Sequence, residues 1–147
     1  MITLTINGKV HQTEVDLNEV LIDTLRRLGY KSVKRGCETA NCGLCTVLFE
    51  NKPVLSCSLL SLRADGKSIV TLEGVREEAK VLGAFLAEQG GEQCGYCTPG
   101  LMMNAIAMKR ELKDPTDEEI AHYLMGNLCR CSGYMSQLRA IRKYLEV

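Results

Sequence analysis

The chain has 147 residues and a mass of 16.3 kDa, with 46% hydrophobic residues, 24% charged residues and a formal net charge of zero. A chain of this size buries roughly 70% of its unfolded surface, so it can fold around a core without covalent staples. This composition excludes a disordered chain and a strongly basic nucleic-acid-binding protein. Eight cysteines are therefore more than folding needs.

The N-terminal residues do not resemble a targeting signal. Residues 1–8 alternate apolar and polar side chains and lack the basic and long apolar regions of a secretory peptide. The longest nearly apolar stretch, residues 100–108, is too short to span a membrane. We therefore expect a cytoplasmic protein with no membrane partner. In that compartment thiols stay reduced, and clustered cysteines usually serve metal or redox chemistry.

The first half of the chain predicts a small sheet with one helix. Ile2, Leu4 and Ile6 alternate with polar residues as in a strand, and Asn7-Gly8 favours a hairpin turn. A second strand is expected over 10–15. Further strands are expected over 46–49, 54–57 and 69–72, with turns at 51–53 and 65–66.

A helix should begin after Asp16, which has the spacing of a capping box with Glu19. Five apolar side chains would form its buried face, and Gly29 would end it: Leu17, Val20, Leu21, Leu25 and Leu28.

The second half predicts helices. A charged segment, Glu73 to Lys80, is the expected linker, so we divide the chain into domains at 1–74 and 75–147. Pro99 suits the first turn of a helix, and Thr116 with Glu119 has the spacing of a capping box. Four short helices in about 70 residues indicate a compact helical bundle. The fold class is therefore α+β.

Four cysteines lie in the first half, at Cys37, Cys42, Cys45 and Cys57. The x4 and x2 gaps followed by a distant fourth cysteine are the plant-type spacing for a [2Fe–2S] cluster. Gly36 and Gly43 let the loop curl tightly and present backbone N–H groups to cluster sulfur. The loop would supply three thiolates, and the returning strand would supply the fourth.

The other four cysteines form two short pairs, Cys94-x2-Cys97 and Cys129-x-Cys131, in breaks between predicted helices. Helix N-termini beside both loops would favour anionic thiolates. Taken alone, this second set also suits a tetrahedral zinc ion. Four disulfides would suit a secreted chain, which the N-terminus does not indicate.

Three cysteine-containing sequence blocks follow one another along the chain: Gly36-Cys-Glu-Thr-Ala-Asn-Cys-Gly-Leu-Cys-Thr46, Gln93-Cys-Gly-Tyr-Cys-Thr-Pro-Gly100 and Gly126-Asn-Leu-Cys-Arg-Cys-Ser-Gly-Tyr134. Together they resemble the small iron–sulfur subunit of the molybdenum hydroxylases, the xanthine oxidase and xanthine dehydrogenase family. The resemblance covers essentially the whole chain.

The resemblance implies a β-grasp, ferredoxin-like domain followed by a four-helix bundle, each holding one [2Fe–2S] cluster. It implies a hetero-oligomer in which a large subunit carries the molybdopterin cofactor and hydroxylates the substrate. Electrons would pass through the bundle cluster and then the ferredoxin-like cluster to FAD, held by a medium subunit, or to another acceptor. By the same analogy Gln93 would contact the pterin, and Arg130 would offset cluster charge or anchor cofactor or partner groups.

The chain departs from the family pattern at a few positions. The family commonly has glycine where Ala40 stands and an acidic or small residue where Asn41 stands. An alanine is tolerated at this position only at a negative φ, so the loop conformation can differ locally. Residues 79–82 replace a His-Pro-Val-Gln segment, and Ser132 replaces a common threonine. These changes affect the expected subunit contacts and the loop conformation, not the cysteines.

Three functions remain to be separated. The first is an electron-transfer subunit of a molybdenum enzyme, itself without catalytic residues, acting on a purine or another N-heterocycle by general family frequency. The second is a zinc-stapled interaction module, and the third is a free-standing ferredoxin-like carrier. The appended helical half argues against the third, because the first half alone would suffice for it.

Overall fold

The computed structural model describes all residues, 1–147. Five strands lie in the first half: β1 Ile2–Ile6, β2 Lys9–Thr13, β3 Thr46–Phe49, β4 Lys52–Leu55 and β5 Ser68–Val70. One helix lies among them and four follow them: α1 Leu21–Arg27, α2 Arg76–Glu88, α3 Thr98–Glu111, α4 Asp117–Leu124 and α5 Met135–Leu145. A sheet followed by a helical bundle confirms the α+β class.

The strands form one mixed sheet in the order β2-β1-β5-β3-β4, in which β1 and β5 are parallel and the other pairs antiparallel. The strand predicted from the alternation at residues 2–6 is confirmed as β1, and all three of its isoleucine and leucine side chains are buried. They share a core with Leu21, Ile22 and Leu25 of α1. A mixed sheet covered on one face by a single helix is the predicted β-grasp arrangement.

The predicted start of α1 is wrong. The helix begins at Leu21, and Leu17 is 83% exposed. An antiparallel bridge to Leu60 holds Val20 in an extended conformation, and the Glu19 carbonyl accepts the backbone N–H of Ser61. These long-range pairings override the local capping signal, so the helix cannot begin earlier.

The predicted bounds of the later strands also need correction. The β3–β4 turn lies at Glu50-Asn51, and Pro53 already belongs to β4, where an edge strand tolerates its missing N–H. Strand β4 ends at Leu55, so Cys57 lies on a 3₁₀ turn, Ser56–Ser58, and not on the strand itself. Strand β5 ends at Val70, and β2 ends at Thr13.

The expected linker is shorter than the charged segment indicates. A 3₁₀ turn, Leu72–Gly74, follows β5, and α2 begins at Arg76. The charged residues after Val75 therefore form the start of α2. The Thr116 capping box is confirmed, because the Thr116 hydroxyl accepts the Glu119 N–H and the Glu119 carboxylate accepts the Thr116 N–H.

The sheet and the bundle share a small buried junction. Leu48 on β3 packs with Met103 and Ala107 on α3, and each is no more than 1% exposed. The division of the chain at residues 74 and 75 stays a prediction. No helix is both long enough and apolar enough to cross a membrane.

Candidate iron–sulfur sites

The first set of cysteines surrounds the loop between α1 and β3. Cys42 and Cys45 are buried, whereas Cys37 and Cys57 are half-buried. Ala40 in this loop does not meet the condition of a negative φ, because its φ is +54°. That value turns the chain sharply beside Cys37 and lets the N–H of Asn41 point at the Cys37 Sγ at 3.3 Å.

The first set is arranged as two thiol pairs, Cys37 with Cys42 and Cys45 with Cys57. Backbone N–H groups, first among them that of Asn41, lower the pKa of Cys37 to about 6. Burial raises the pKa of Cys42, and burial together with the Cys57 thiol raises that of Cys45 to about 11. The Cys37 thiol is therefore largely anionic at neutral pH, and a metal bound by the set would displace the protons of the buried Cys42 and Cys45 thiols.

The second set has the same paired arrangement. The Cys131 thiol donates to Cys94 at 3.7 Å between the two sulfur atoms, and Cys97 pairs with Cys129. Burial alone would raise the pKa of Cys129, but hydrogen bonds from the Ser132 hydroxyl and N–H outweigh it and bring the pKa to about 7.

Cys97 departs from the expectation that helix N-termini favour thiolates in this set. It immediately precedes α3, yet burial and the Cys129 thiol raise its pKa to about 11. Burial thus dominates over the helix N-terminus for this thiol.

Two pairs of thiols per set suit a cluster with two metal ions better than a single ion. Two thiolates on one tetrahedral metal lie about 3.8 Å apart when each metal–sulfur bond is about 2.3 Å, close to the spacing of Cys94 and Cys131. A [2Fe–2S] centre, which would take two thiolates on each iron, therefore fits the paired arrangement of both sets.

The two sets adjoin one another. Cys42 and all four cysteines of the second set line one cleft of about 440 Å³. The Leu128 N–H donates to the Cys42 carbonyl at 2.9 Å. The Asn127 amide donates to the Gly43 carbonyl at 3.2 Å.

Three other residues singled out from the sequence lie at or beside these loops. Gln93 is exposed, and its amide donates to the Cys131 carbonyl at 3.4 Å. Arg130 is exposed, lines the shared cleft and forms no salt bridge. Gly43 is buried with a φ of +73°, in contact with the residues before Cys129. Their roles toward a cofactor stay predictions.

Sequence reasoning missed several polar side chains that hold the loops. Asn127 and Asn104 are hydrogen-bonded to each other, and the Gln137 amide approaches the Cys97 sulfur at 3.9 Å. Asn127 lies inside the Gly126–Tyr134 block, so the motif contained the signal. Asn104 and Gln137 gave none, because each is one polar residue in a helix.

Comparison with known proteins identifies the class. Residues 4–70 match the model of a 2Fe-2S iron-sulfur cluster binding domain, and residues 71–142 match the model of a [2Fe-2S] binding domain. The nicotinate dehydrogenase small FeS subunit of Eubacterium barkeri is 45% identical, covering 99% of this chain and 94% of the relative.

Two further comparisons agree. The xanthine dehydrogenase iron-sulfur-binding subunit of Escherichia coli O157:H7 is 44% identical, covering 90% of this chain and 86% of the relative. In the crystal structure of quinoline 2-oxidoreductase from Pseudomonas putida 86, one chain superposes with a TM-score of 0.90 at 37% identity, covering 99% of this chain and 93% of that chain.

These matches define an iron–sulfur protein with two [2Fe–2S] domains. More specifically, the chain belongs to the family of small [2Fe–2S] subunits of the molybdenum hydroxylases, which includes those of the xanthine dehydrogenases. It is thus an iron–sulfur subunit of an oxidoreductase complex.

Proposed function

We propose that this chain relays electrons from a molybdopterin centre on a large partner subunit, through its second and then its first cysteine set, to FAD on a medium partner subunit. The observation that carries the proposal is the presence of two complete sets of paired thiols, one in each half of the chain. When bound, a [2Fe–2S] centre accepts and releases one electron at a time.

Each half of the chain has a defined task in this relay. Cys37, Cys42, Cys45 and Cys57 hold the first centre, and Cys94, Cys97, Cys129 and Cys131 hold the second. The N–H groups of Asn41 and Ser132 point at thiol sulfur and stabilise its negative charge. The chain fixes the two centres and excludes water from their inner sides, and it performs no bond chemistry itself.

An exposed apolar patch beside the second set supports a large partner there. We define the patch as Met125, Leu128, Tyr134 and Met135, whose exposures are 71%, 41%, 48% and 60%. Such a cluster on the surface of a soluble domain indicates a protein interface. Gln93 and Arg130 are exposed next to the same loops, where they can meet the pterin of the docked subunit.

The first set presents a different surface. Residues 38–41 of its loop are all exposed, whereas the inner side of the loop packs on the second set. An acceptor such as an FAD-binding subunit can therefore approach the outer side of this loop. For the substrate of the complex, we propose an N-heterocycle, since the similar proteins above are named for nicotinate, xanthine and quinoline.

Metal analysis and EPR spectroscopy of the anaerobic protein test the relay. We expect two distinct [2Fe–2S] signals and about four iron atoms per chain. Cys45→Ser should damage the first centre and leave the second, whereas Cys97→Ser should do the reverse, so each variant is the control for the other. Stoichiometric zinc without visible absorption would refute the proposal, as would equal loss of both signals in each folded variant.

Co-purification tests the docking surface. Met135→Glu places a charge in the apolar patch and should abolish co-purification with the large subunit while both EPR signals persist. Leu17→Glu is the matched control, because Leu17 is also an exposed apolar residue but lies in the sheet half. Retention of the large subunit by Met135→Glu, or its loss in the Leu17 control, would contradict this placement.

A further inference from the structure

The two cysteine sets are joined directly by one backbone hydrogen bond. The Leu128 N–H donates to the carbonyl of Cys42 at 2.9 Å, and Leu128 is covalently bonded to Cys129. The path from the Cys42 sulfur to the Cys129 sulfur therefore consists of about ten covalent bonds and this one hydrogen bond. A thiol of one set is thus linked to a thiol of the other without a gap through space.

The side chain of Asn127 holds this bridge in place. Asn127 is only 6% exposed, and its amide donates to the carbonyl of Gly43 at 3.2 Å. Its side-chain oxygen accepts from the Asn104 amide, and its backbone N–H donates to Leu124 at 2.8 Å. The residue before Leu128 is therefore tied to the residue after Cys42, parallel to the bridge itself.

Close backbone packing leaves the bridge no room to shift. A Cβ atom on Gly43 would lie 2.2 Å from the Gly126 carbonyl oxygen, and one on Gly100 would lie 2.3 Å from the Gly43 carbonyl oxygen. Only glycine permits these approaches. The first loop is thereby held between the start of α3 and the loop that carries Cys129.

We infer that Asn127 is a positioning residue for electron transfer between the two centres, acting through the Leu128–Cys42 hydrogen bond. This inference rests on the proposed function. With both centres bound, one electron would pass along the bridge, so that the centre of the second set would be oxidised and that of the first set reduced, with no bond broken and no proton moved. Asn127 contacts no thiol, and its effect is on the geometry of the path alone.

Substitution of Asn127 should leave the fold intact. The Gly43 carbonyl also accepts the N–H and hydroxyl of Thr46, at 3.2 and 2.7 Å, so it keeps partners when the Asn127 amide is removed. Asn127→Asp replaces the donor by a carboxylate that repels the Gly43 carbonyl. Asn104→Ala removes only the hydrogen bond that orients the Asn127 side chain.

The test compares full chains that carry both [2Fe–2S] centres. Flash reduction by one electron gives the rate of electron transfer between the two centres. EPR gives the signal of each centre, and hydrogen exchange measures the protection of the peptide that contains Leu128. We expect electron transfer between the centres to be several-fold slower in Asn127→Ala and Asn127→Asp than in the wild type. Hydrogen exchange at Leu128 should be faster in both variants. The g values of both EPR signals and the iron content should be unchanged. Asn104→Ala should change the rate in the same direction by a smaller factor.

Ile141→Ala is the control for a merely structural effect, because Ile141 is fully buried in the core cluster of the bundle, which includes neither Asn127 nor Leu128. It should lower stability and leave the rate unchanged. Wild-type rates in both Asn variants would overturn the inference, and so would an equal slowing in Ile141→Ala. If Asn127→Ala loses one of the iron–sulfur centres, the electron-transfer rate of Asn104→Ala tests the inference. A rate below that of the wild type supports it, and the wild-type rate overturns it. A wild-type chain without two [2Fe–2S] signals would instead overturn the proposed function, and the inference with it.

Discussion

The backbone conformation of Ala40 is energetically unfavourable for an alanine. Its φ of +54° lies in the left-handed region, where a Cβ atom meets the following carbonyl at a cost of about 1–2 kcal/mol. The turn is required because it aims the Asn41 N–H at Cys37. The first loop therefore keeps its shape at the expense of local strain at this residue.

Ala40→Gly should stabilise the chain by about 0.5–1 kcal/mol, because relief of the strain exceeds the extra entropy of glycine in the unfolded chain. Urea unfolding followed by circular dichroism measures the change. Asn41→Gly is the control, since Asn41 has no left-handed φ and should lose stability. A destabilised Ala40→Gly would show that the loop does not keep this turn in solution.

Glu73 is a second residue with a measurable role, since its carboxylate accepts the Ser32 N–H at 3.0 Å, the Ser32 hydroxyl at 2.5 Å and the Thr71 hydroxyl at 2.5 Å. Burial alone would raise the pKa of Glu73, but these hydrogen bonds outweigh it and hold the pKa below its ordinary value of 4.5. A lowered folded-state pKa contributes stability above the unfolded value, and that stability is lost as the pH falls through the folded value.

Glu73→Gln should therefore lose about 1 kcal/mol at neutral pH. Its deficit relative to the wild type should shrink as the pH falls below about 4.5. Unfolding curves from pH 7 to pH 3 measure this. The control is Glu77→Gln, whose pair with Lys80 is largely exposed and worth little. A deficit that does not change with pH would mean that the carboxylate charge is not what matters.

At the scale of elements, helix α4 and helix α1 show when a capping signal decides a boundary. The Thr116 box forms at the start of α4, where no strand competes for the backbone. At Asp16 and Glu19 the same spacing fails, because the bridge between Val20 and Leu60 keeps that segment extended. One Glu19 carboxylate oxygen still accepts the Asp16 N–H at 3.4 Å, but no helix begins there, and the other oxygen accepts hydrogen bonds from Thr24 and Arg27.

Thr116→Ala should destabilise the chain by about 1 kcal/mol, since it leaves N–H groups of the first turn of α4 without a partner. Thr116→Ser keeps the hydroxyl and should retain most of the stability. Thermal unfolding followed by circular dichroism at 222 nm distinguishes the two. Equal losses in both variants would indicate that packing of the threonine methyl group, not the cap, is what counts.

At the scale of the whole molecule, the sheet and the bundle are coupled at Leu48, Met103 and Ala107. Met103→Ala should cost about 2–5 kcal/mol because it leaves a cavity between two buried surfaces. Since the cavity lies between the halves, hydrogen exchange should become faster in both β3 and α3. Faster exchange in α3 alone would show that the halves unfold independently.

How far the sequence predicts the molecule can be judged from particular residues. The alternation of β1, the Thr116 cap and Pro99 were readable because each is a local pattern that acts over a few residues. The start of α1, the 3₁₀ position of Cys57 and the φ of Ala40 were not, because long-range backbone pairing or loop closure sets them. The spacing of the eight cysteines predicted two separate four-thiol sets, and the family blocks predicted the kind of centre.

The sequence alone thus determined the chemistry of this protein, since ligand type and ligand spacing are properties of the chain itself. Only the tertiary structure decided how the thiols pair within each set and how the two sets meet. The Leu128–Cys42 hydrogen bond and the Asn127 side chain join segments about 85 residues apart. No local propensity specifies such a contact, because it depends on packing α3 against the sheet, which brings both loops to one place.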